Sequence, residues 1–157
     1  FFIQKRYGLN GNVFKMYKFR TMHFEEDRNQ TNLVQAKLND KRITIVGKFL
    51  RKYSLDELPQ LINVIKGEMS LVGPRPHANQ HNEYYRKLIT GYMQRHSKLP
   101  GMTGLAQIKG YRGETSKIEL MKLRVNYDLE YNNNWNLSKD FIILIKTIFV
   151  ILKGNSY

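Results

Sequence analysis

The chain has no cysteine among its 157 residues. That excludes disulfides, thiolate zinc sites and a thiol nucleophile, and it leaves oxygen ligands for any metal. Long hydrophobic runs are also missing, since no stretch approaches the roughly 20 apolar residues that a membrane-spanning helix requires. Acidic residues are scarce, 13 against 26 lysines and arginines, which gives a net charge of +13. Such a surface attracts something polyanionic: nucleic acid, an anionic membrane leaflet or phosphorylated small molecules. Charge alone does not choose among them. No internal repeat, low-complexity tract or linker divides the sequence, and its length suits one domain with one ordinary core.

What is present reads as an α+β domain, mostly helical, with an N-terminal β-hairpin and short strands. Two β-prone runs, Phe2 to Tyr7 and Val13 to Thr21, flank an Asn-Gly loop, a strong hairpin signal. Alternation along the second run puts Phe14, Met16, Lys18 and Arg20 on one side, so Lys18 and Arg20 are expected to reach one ligand. The polar segment from His23 to Arg42 reads as a loop with some helix. Leu58, Leu61, Ile62 and Ile65 recur at helical spacing and predict one apolar stripe on a helix ending at Gly67. Met69 to Val72 reads as a buried strand and Gly104 to Ile108 as another. Further helices are predicted from Tyr85, Leu88, Ile89, Tyr92 and Met93, from Ile118, Met121, Val125 and Leu129, and from Phe141, Leu144, Ile145, Ile148 and Leu152.

The densest signal is the segment from Lys48 to His77, KFLRKYSLDELPQLINVIKGEMSLVGPRPH. Adjacent carboxylates repel and are costly to desolvate, so Asp56-Glu57 between Arg51 and Arg75 points to a metal or a phosphorylated ligand. The competing reading is an S-x-x-E capping box from Ser54 to Glu57. With Ser54 as N-cap, however, Pro59 falls inside the helix, where its ring clashes with a preceding carbonyl. A helix start near Asp56 instead leaves the pair at the positive end of the dipole. Arg75 stands between Pro74 and Pro76, which fix the backbone and lower the entropy lost when its fork grips phosphate oxygens. Arg51 could equally belong to the solvated basic face of Lys48 and Lys52. His77, His81 and His96 have no recognisable metal-ligand spacing and read as polar helix-face residues.

This segment resembles the core motif of the bacterial sugar transferase family, the monotopic phosphoglycosyl transferases. FKMYKFRTM at Phe14 to Met22, PGMTGLAQIKGYRGET at Pro100 to Thr115 and VNYDLEYNNNWNLSKD near the C-terminus match as well, so the likeness covers nearly the whole chain. The resemblance implies a catalytic domain over residues 1–157, a fragment whose hydrophobic membrane segment precedes Phe1. It also implies transfer of a hexose 1-phosphate from a UDP-sugar to a polyprenol phosphate, typically undecaprenyl phosphate, at the cytoplasmic face of the inner membrane. By resemblance Asp56 is the nucleophile and Glu57 its metal-binding partner. Mg²⁺ is the implied cofactor at the pair, and Arg51, Arg75, Lys18, Arg20 and Asp128 are implied on the substrate side.

The chemistry is consistent with those roles. A carboxylate attacks phosphorus without a separate base, and cations must offset the approach of an anion to a diphosphate. The apolar segment Phe141 to Leu152 is too short to span a bilayer and reads as either a core helix or, with the family, a membrane-interfacial one carrying Lys146 toward an anionic membrane surface. Two other functions compete. A basic nucleic-acid-binding module leaves Asp56-Glu57 unexplained and has no recognisable nucleic-acid motif, so no nucleic-acid partner is expected. A noncatalytic peripheral membrane protein would use only the basic surface and the C-terminal helix.

Overall fold

A computed structural model of the chain describes residues 1–23, 40–113 and 117–153. Strands β1 (Phe2–Tyr7) and β2 (Val13–Lys18) pair antiparallel, with Phe2 opposite Lys18 and Tyr7 opposite Val13. Asn10 and Gly11 make the reversal at φ of 55° and 78°, a left-handed conformation that these two residue types tolerate well. Along β2, Phe14 and Met16 face inward and pack with Met69, while Val13 and Lys15 face out. The strand ends at Lys18 rather than Thr21, because the Phe19 N–H leaves the hairpin and donates to the Asp56 carbonyl at 2.9 Å. Arg20 is therefore exposed, with its guanidinium 5.9 Å from the Phe2 ring centroid.

Helix α1 (Ile45–Lys52) begins at Thr44, whose hydroxyl accepts from the Gly47 N–H at 2.9 Å. Ile45, Val46, Phe49 and Leu50 recur at helical spacing along it, a period that the reading of this stretch as a basic segment did not use. The expected stretch between His23 and Arg42 lies largely outside the described residues. A 3₁₀ turn over Leu55–Glu57 then leads into α2 (Gln60–Ile65), which follows Pro59. Ser54 adopts φ 56° and makes no side-chain cap, so the capping-box reading fails. The apolar stripe is present but points outward. Leu58, Leu61, Ile62 and Ile65 are exposed, and the buried face carries Gln60 and Asn63. Asn63 accepts from the Tyr17 N–H at 3.1 Å and donates to the Lys15 carbonyl at 2.7 Å, which fastens α2 to β2 through polar contacts.

Strand β3 (Ser70–Val72) pairs in parallel with β4 (Gly101–Thr103). The two backbones approach so closely that a Cβ on Gly101 would lie 2.1 Å from the Gly73 nitrogen. The predicted strand from Gly104 to Ile108 is instead a one-turn helix, α4 (Leu105–Ile108), preceded by the true strand. The single helix expected through Tyr85 and Met93 is also replaced. Helix α3 (Asn79–Tyr85) stops, Gly91 turns at φ 75°, and a 3₁₀ segment follows over Tyr92–Ser97.

Helices α5 (Ile118–Asn133) and α6 (Leu137–Leu152) occupy the expected positions. Met121 and Val125 of α5 form the main core with Tyr85, Ile89 and Tyr92. Of α6, Ile143 is buried against Val72 and Tyr131, whereas Phe141, Ile145, Ile148, Phe149 and Leu152 are exposed. Among the described residues no helix is long and apolar enough to cross a membrane. The architecture is α+β, as the sequence indicates.

Candidate active site

The left-handed turn at Ser54 and the bond from Phe19 to the Asp56 carbonyl set the acidic pair on a short 3₁₀ turn between α1 and α2. Both carboxylates lie in the interior, each residue being 8% exposed. Glu57 is gripped by cations from three separate segments. Lys18, at the end of β2, places Nζ 2.9 Å from Oε1. Arg75, on the loop after β3, donates from Nη1 to Oε2 at 3.0 Å and from Nη2 to Oε1 in a two-pronged pair. Arg112, on the loop after α4, puts Nη2 3.3 Å from Oε2.

These contacts separate the two acids. Burial pushes the Glu57 carboxyl up, but Arg75, Lys18 and Arg112 outweigh it and hold the group well below the usual carboxylate range. Asp56 is pushed up, first by burial and then by Glu57, with only partial relief from Lys18, Arg75 and Arg51. Glu57 is thus a fixed anion locked in a basic clamp. Asp56 makes no ion pair among the described residues and carries the less stabilised charge, as suits the reacting member of a pair whose environments differ.

The structure brings Lys18, Asp56, Glu57 and Arg75 together. Arg51 sits beside them, with its Nε donating to the Thr21 hydroxyl at 2.7 Å, and its charge favours the ionised form of Asp56. Arg20 is directed elsewhere, as described above. Asp128, expected on the substrate side, pairs with a buried arginine. It is buried at 1% exposure and accepts from Arg95 Nε at 2.9 Å. Arg95 in turn donates from Nη2 to the Arg75 carbonyl at 2.7 Å, so Asp128 acts one layer back by fixing the residue that holds the Arg75 backbone. His77 is likewise buried rather than on a polar helix face, with Nδ1 2.6 Å from the Tyr92 hydroxyl and 2.9 Å from Arg95 Nη1.

Sequence reasoning passed over Arg112 and Arg95. Arg112 stands in the GYRGET stretch, yet nothing local marks it as a partner for a carboxylate 55 positions earlier (112 − 57). Arg95 is embedded in a polar run, and only the tertiary fold reveals its burial. No group of three or more His, Asp or Glu side chains that could hold a metal occurs among the described residues, so the protein's own donors at this site are the two carboxylates.

The chain is 53% identical over 152 residues to the UDP-glucose:undecaprenyl-phosphate glucose-1-phosphate transferase of Xanthomonas campestris pv. campestris, covering 97% of this chain and 31% of that protein. It is 55% identical over 148 residues to the protein of the same name in Escherichia coli K12, covering 94% of this chain and 32% of the other. Galactosyl transferase CpsE of Streptococcus agalactiae is 42% identical over 162 residues, covering 98% and 34%. The chain thus spans about a third of the length of these relatives. The model of the bacterial sugar transferase family matches residues 1–154, and the chain belongs to that family.

Proposed function

We propose that this chain is the catalytic part of a phosphoglycosyl transferase that moves a hexose 1-phosphate from a UDP-sugar to undecaprenyl phosphate. The observation that carries the reading is a carboxylate, Asp56, with no ion pair among the described residues, beside a second carboxylate that gathers three cations. In the first step an Asp56 oxygen attacks the phosphorus that bears the sugar. The bond from that phosphorus to the bridging oxygen breaks, and UMP leaves with the bridging oxygen. The sugar phosphate is then an acyl phosphate on Asp56, and an oxygen of the polyprenol phosphate displaces the aspartate, restoring the carboxylate.

Lys18, Arg75 and Arg112 share their donors between Glu57 and the diphosphate oxygens, which lowers the repulsion between the attacking anion and its target. Arg75 suits this best because its planar fork can bridge two oxygens, and Arg95 holds its main chain in place. Mg²⁺ fits the donor set, since the ion takes one or two carboxylates with substrate phosphates supplying further oxygens. Glu57 and Asp56 would hold it, and when bound it supplies additional neutralisation of the diphosphate.

The substrates named for the relatives support a UDP-hexose and undecaprenyl phosphate here. A lipid acceptor also accounts for apolar side chains that water would not favour. Ile45 and Phe49 of α1, Ile65 of α2 and Phe149 of α6 are all more than half exposed, at 93, 57, 87 and 60%. Together with the basic surface they suit docking on the anionic cytoplasmic face of the bacterial inner membrane. The test is incubation of the protein in detergent with polyprenol phosphate and UDP-sugars, following UMP. Intact mass after donor exposure should show a phosphosugar adduct that is lost in Asp56→Asn. UMP release by that variant at the wild-type rate would remove Asp56 as nucleophile.

A further inference from the structure

We propose that Arg6, His77 and Arg124 form a phosphate-binding subsite beside Arg75, separate from the Glu57 clamp, that receives a phosphoryl group of one of the two substrates. Three elements bring these residues together. Arg6 lies near the end of β1 and bridges to Ala78, next to His77. Arg124 lies on the buried face of α5 one turn before Asp128.

Each residue carries a buried N–H with no acceptor among the described residues. For His77 the tautomer follows from its neighbour. Arg95 Nη1, 2.9 Å from Nδ1, can only donate; with Nδ1 accepting, the Tyr92 hydroxyl 2.6 Å away turns its proton to Nδ1 rather than to Asn82 Oδ1, and the ring proton resides on Nε2. Nε2 is buried and unpartnered, as are Nε of Arg124 and Nε of Arg6. Both His77 and Arg124 are more than nine-tenths buried, at 5 and 7% exposure.

The charges are also unmatched. Arg6 bonds the neutral Gln4 side chain at 2.6 Å, and Arg124 bonds the Gly113 carbonyl at 2.8 Å. Among the described residues the nearby acids are already taken, Glu57 by its three cations and Asp128 by Arg95. Burial first and then Arg75 bring both guanidiniums down to about 10. Burial, then Arg95, Arg124 and Arg6, hold His77 well below the usual imidazole range and keep it neutral, with a single donor on Nε2. Buried donors and positive charge with no matching acid among the described residues suit the acceptor-only oxygens of a phosphate. The nucleotide diphosphate and the lipid phosphate monoester share that chemistry. Assigning the ligand to a substrate rests on the transfer reaction proposed above, whereas anion binding itself does not.

The test uses histidine-¹⁵N-labelled protein titrated with inorganic phosphate at ionic strength held constant with NaCl, observing the His77 Nε2 resonance. That resonance should shift on phosphate binding, and the dissociation constant should rise at least tenfold in Arg124→Gln and in Arg6→Gln. Repeating the titration with a short-chain, water-soluble prenyl phosphate and with UDP-glucose shows which source occupies the subsite, because the ligand that reports at His77 should be the one weakened in both variants. Should Arg124→Gln fail to fold, Arg6→Gln at its partly exposed strand and the wild-type resonance still decide. An unmoved His77 resonance, or phosphate affinity unchanged in folded variants, overturns the subsite even if UMP is released. Phosphate binding at His77 without any UMP release keeps the anion subsite and sinks the transfer reading.

Discussion

Replacing Glu57 with glutamine keeps the side-chain volume and removes one negative charge from the centre of three cations. Removing one partner of a buried ion pair costs about 3–5 kcal/mol, because the remaining charge is left uncompensated. Glutamine retains a carbonyl oxygen that can still accept from Arg75 or Lys18, so the lower end, about 3 kcal/mol, is expected. For a chain of this length that corresponds to a fall in melting temperature of about 6–12 °C. The pH dependence has a definite sign. The folded carboxyl is held below its unfolded value, so its contribution is present above the unfolded pKa of about 4.3 and is lost as pH falls toward the folded value. The gap between wild type and Glu57→Gln should therefore be constant from pH 8 to pH 5.5 and close only in acid. Thermal unfolding in low-salt chloride buffer measures this, and added phosphate should restore part of the loss by standing in for the missing anion. A drop of less than about 2 °C, or a gap that closes near neutrality, would refute the clamp.

Asp56→Asn should hold or slightly raise the melting temperature at pH 7 while UMP release falls to background. Burial raises the Asp56 pKa, so its ionisation works against the fold as pH rises through the window between the unfolded and folded values; a large thermal loss would contradict this. Arg75→Lys keeps the charge but loses the fork to both Glu57 oxygens, and kcat/KM should fall by a factor equivalent to about 1.5–3 kcal/mol in a UMP-release assay at fixed Mg²⁺. Near-wild-type turnover would mean that the planar geometry is irrelevant. Asp128→Asn leaves Arg95 as an unbalanced buried cation and should cost about 3–5 kcal/mol in urea unfolding. Ile65→Glu should leave melting in water within about 0.5 kcal/mol of wild type, as for an exposed site, yet reduce co-sedimentation with anionic vesicles; unchanged sedimentation would remove α2 from the docking surface.

The hairpin, α5 and α6 were legible because each is set by local signals: an Asn-Gly reversal and sustained apolar spacing. The errors have tertiary causes. The helix through Tyr85 and Met93 has the right period, but Gly91 turns the chain at φ 75°. The strand assigned to Gly104 begins earlier because Gly101 is the residue whose missing Cβ lets β4 reach Gly73. Within the site, Lys18 and Arg75 could be anticipated from strand alternation and from the two prolines. Arg20 follows the same alternation, but the chain leaves the strand before reaching it. Arg112, Arg95, Arg6 and Arg124 meet the site only through long-range packing, which one-dimensional spacing does not encode.

Helix α2 turns amides inward and leucines and isoleucines outward, the reverse of an ordinary surface helix. In water its outward apolar residues contribute little hydrophobic driving force, and the helix is held by Val64 packing against the Phe14, Met16 and Met69 cluster and by the hydrogen bonds of Asn63. The chain therefore has no single intrinsic stability: a bilayer or a micelle enters as a reference solvent that sets the free energy of this helix directly. Amides of α2 should exchange with deuterium early in plain buffer and become protected on lipid, and because the acidic turn joins this helix, the order of the reacting carboxylate would be coupled to the presence of the phase in which its acceptor is dissolved.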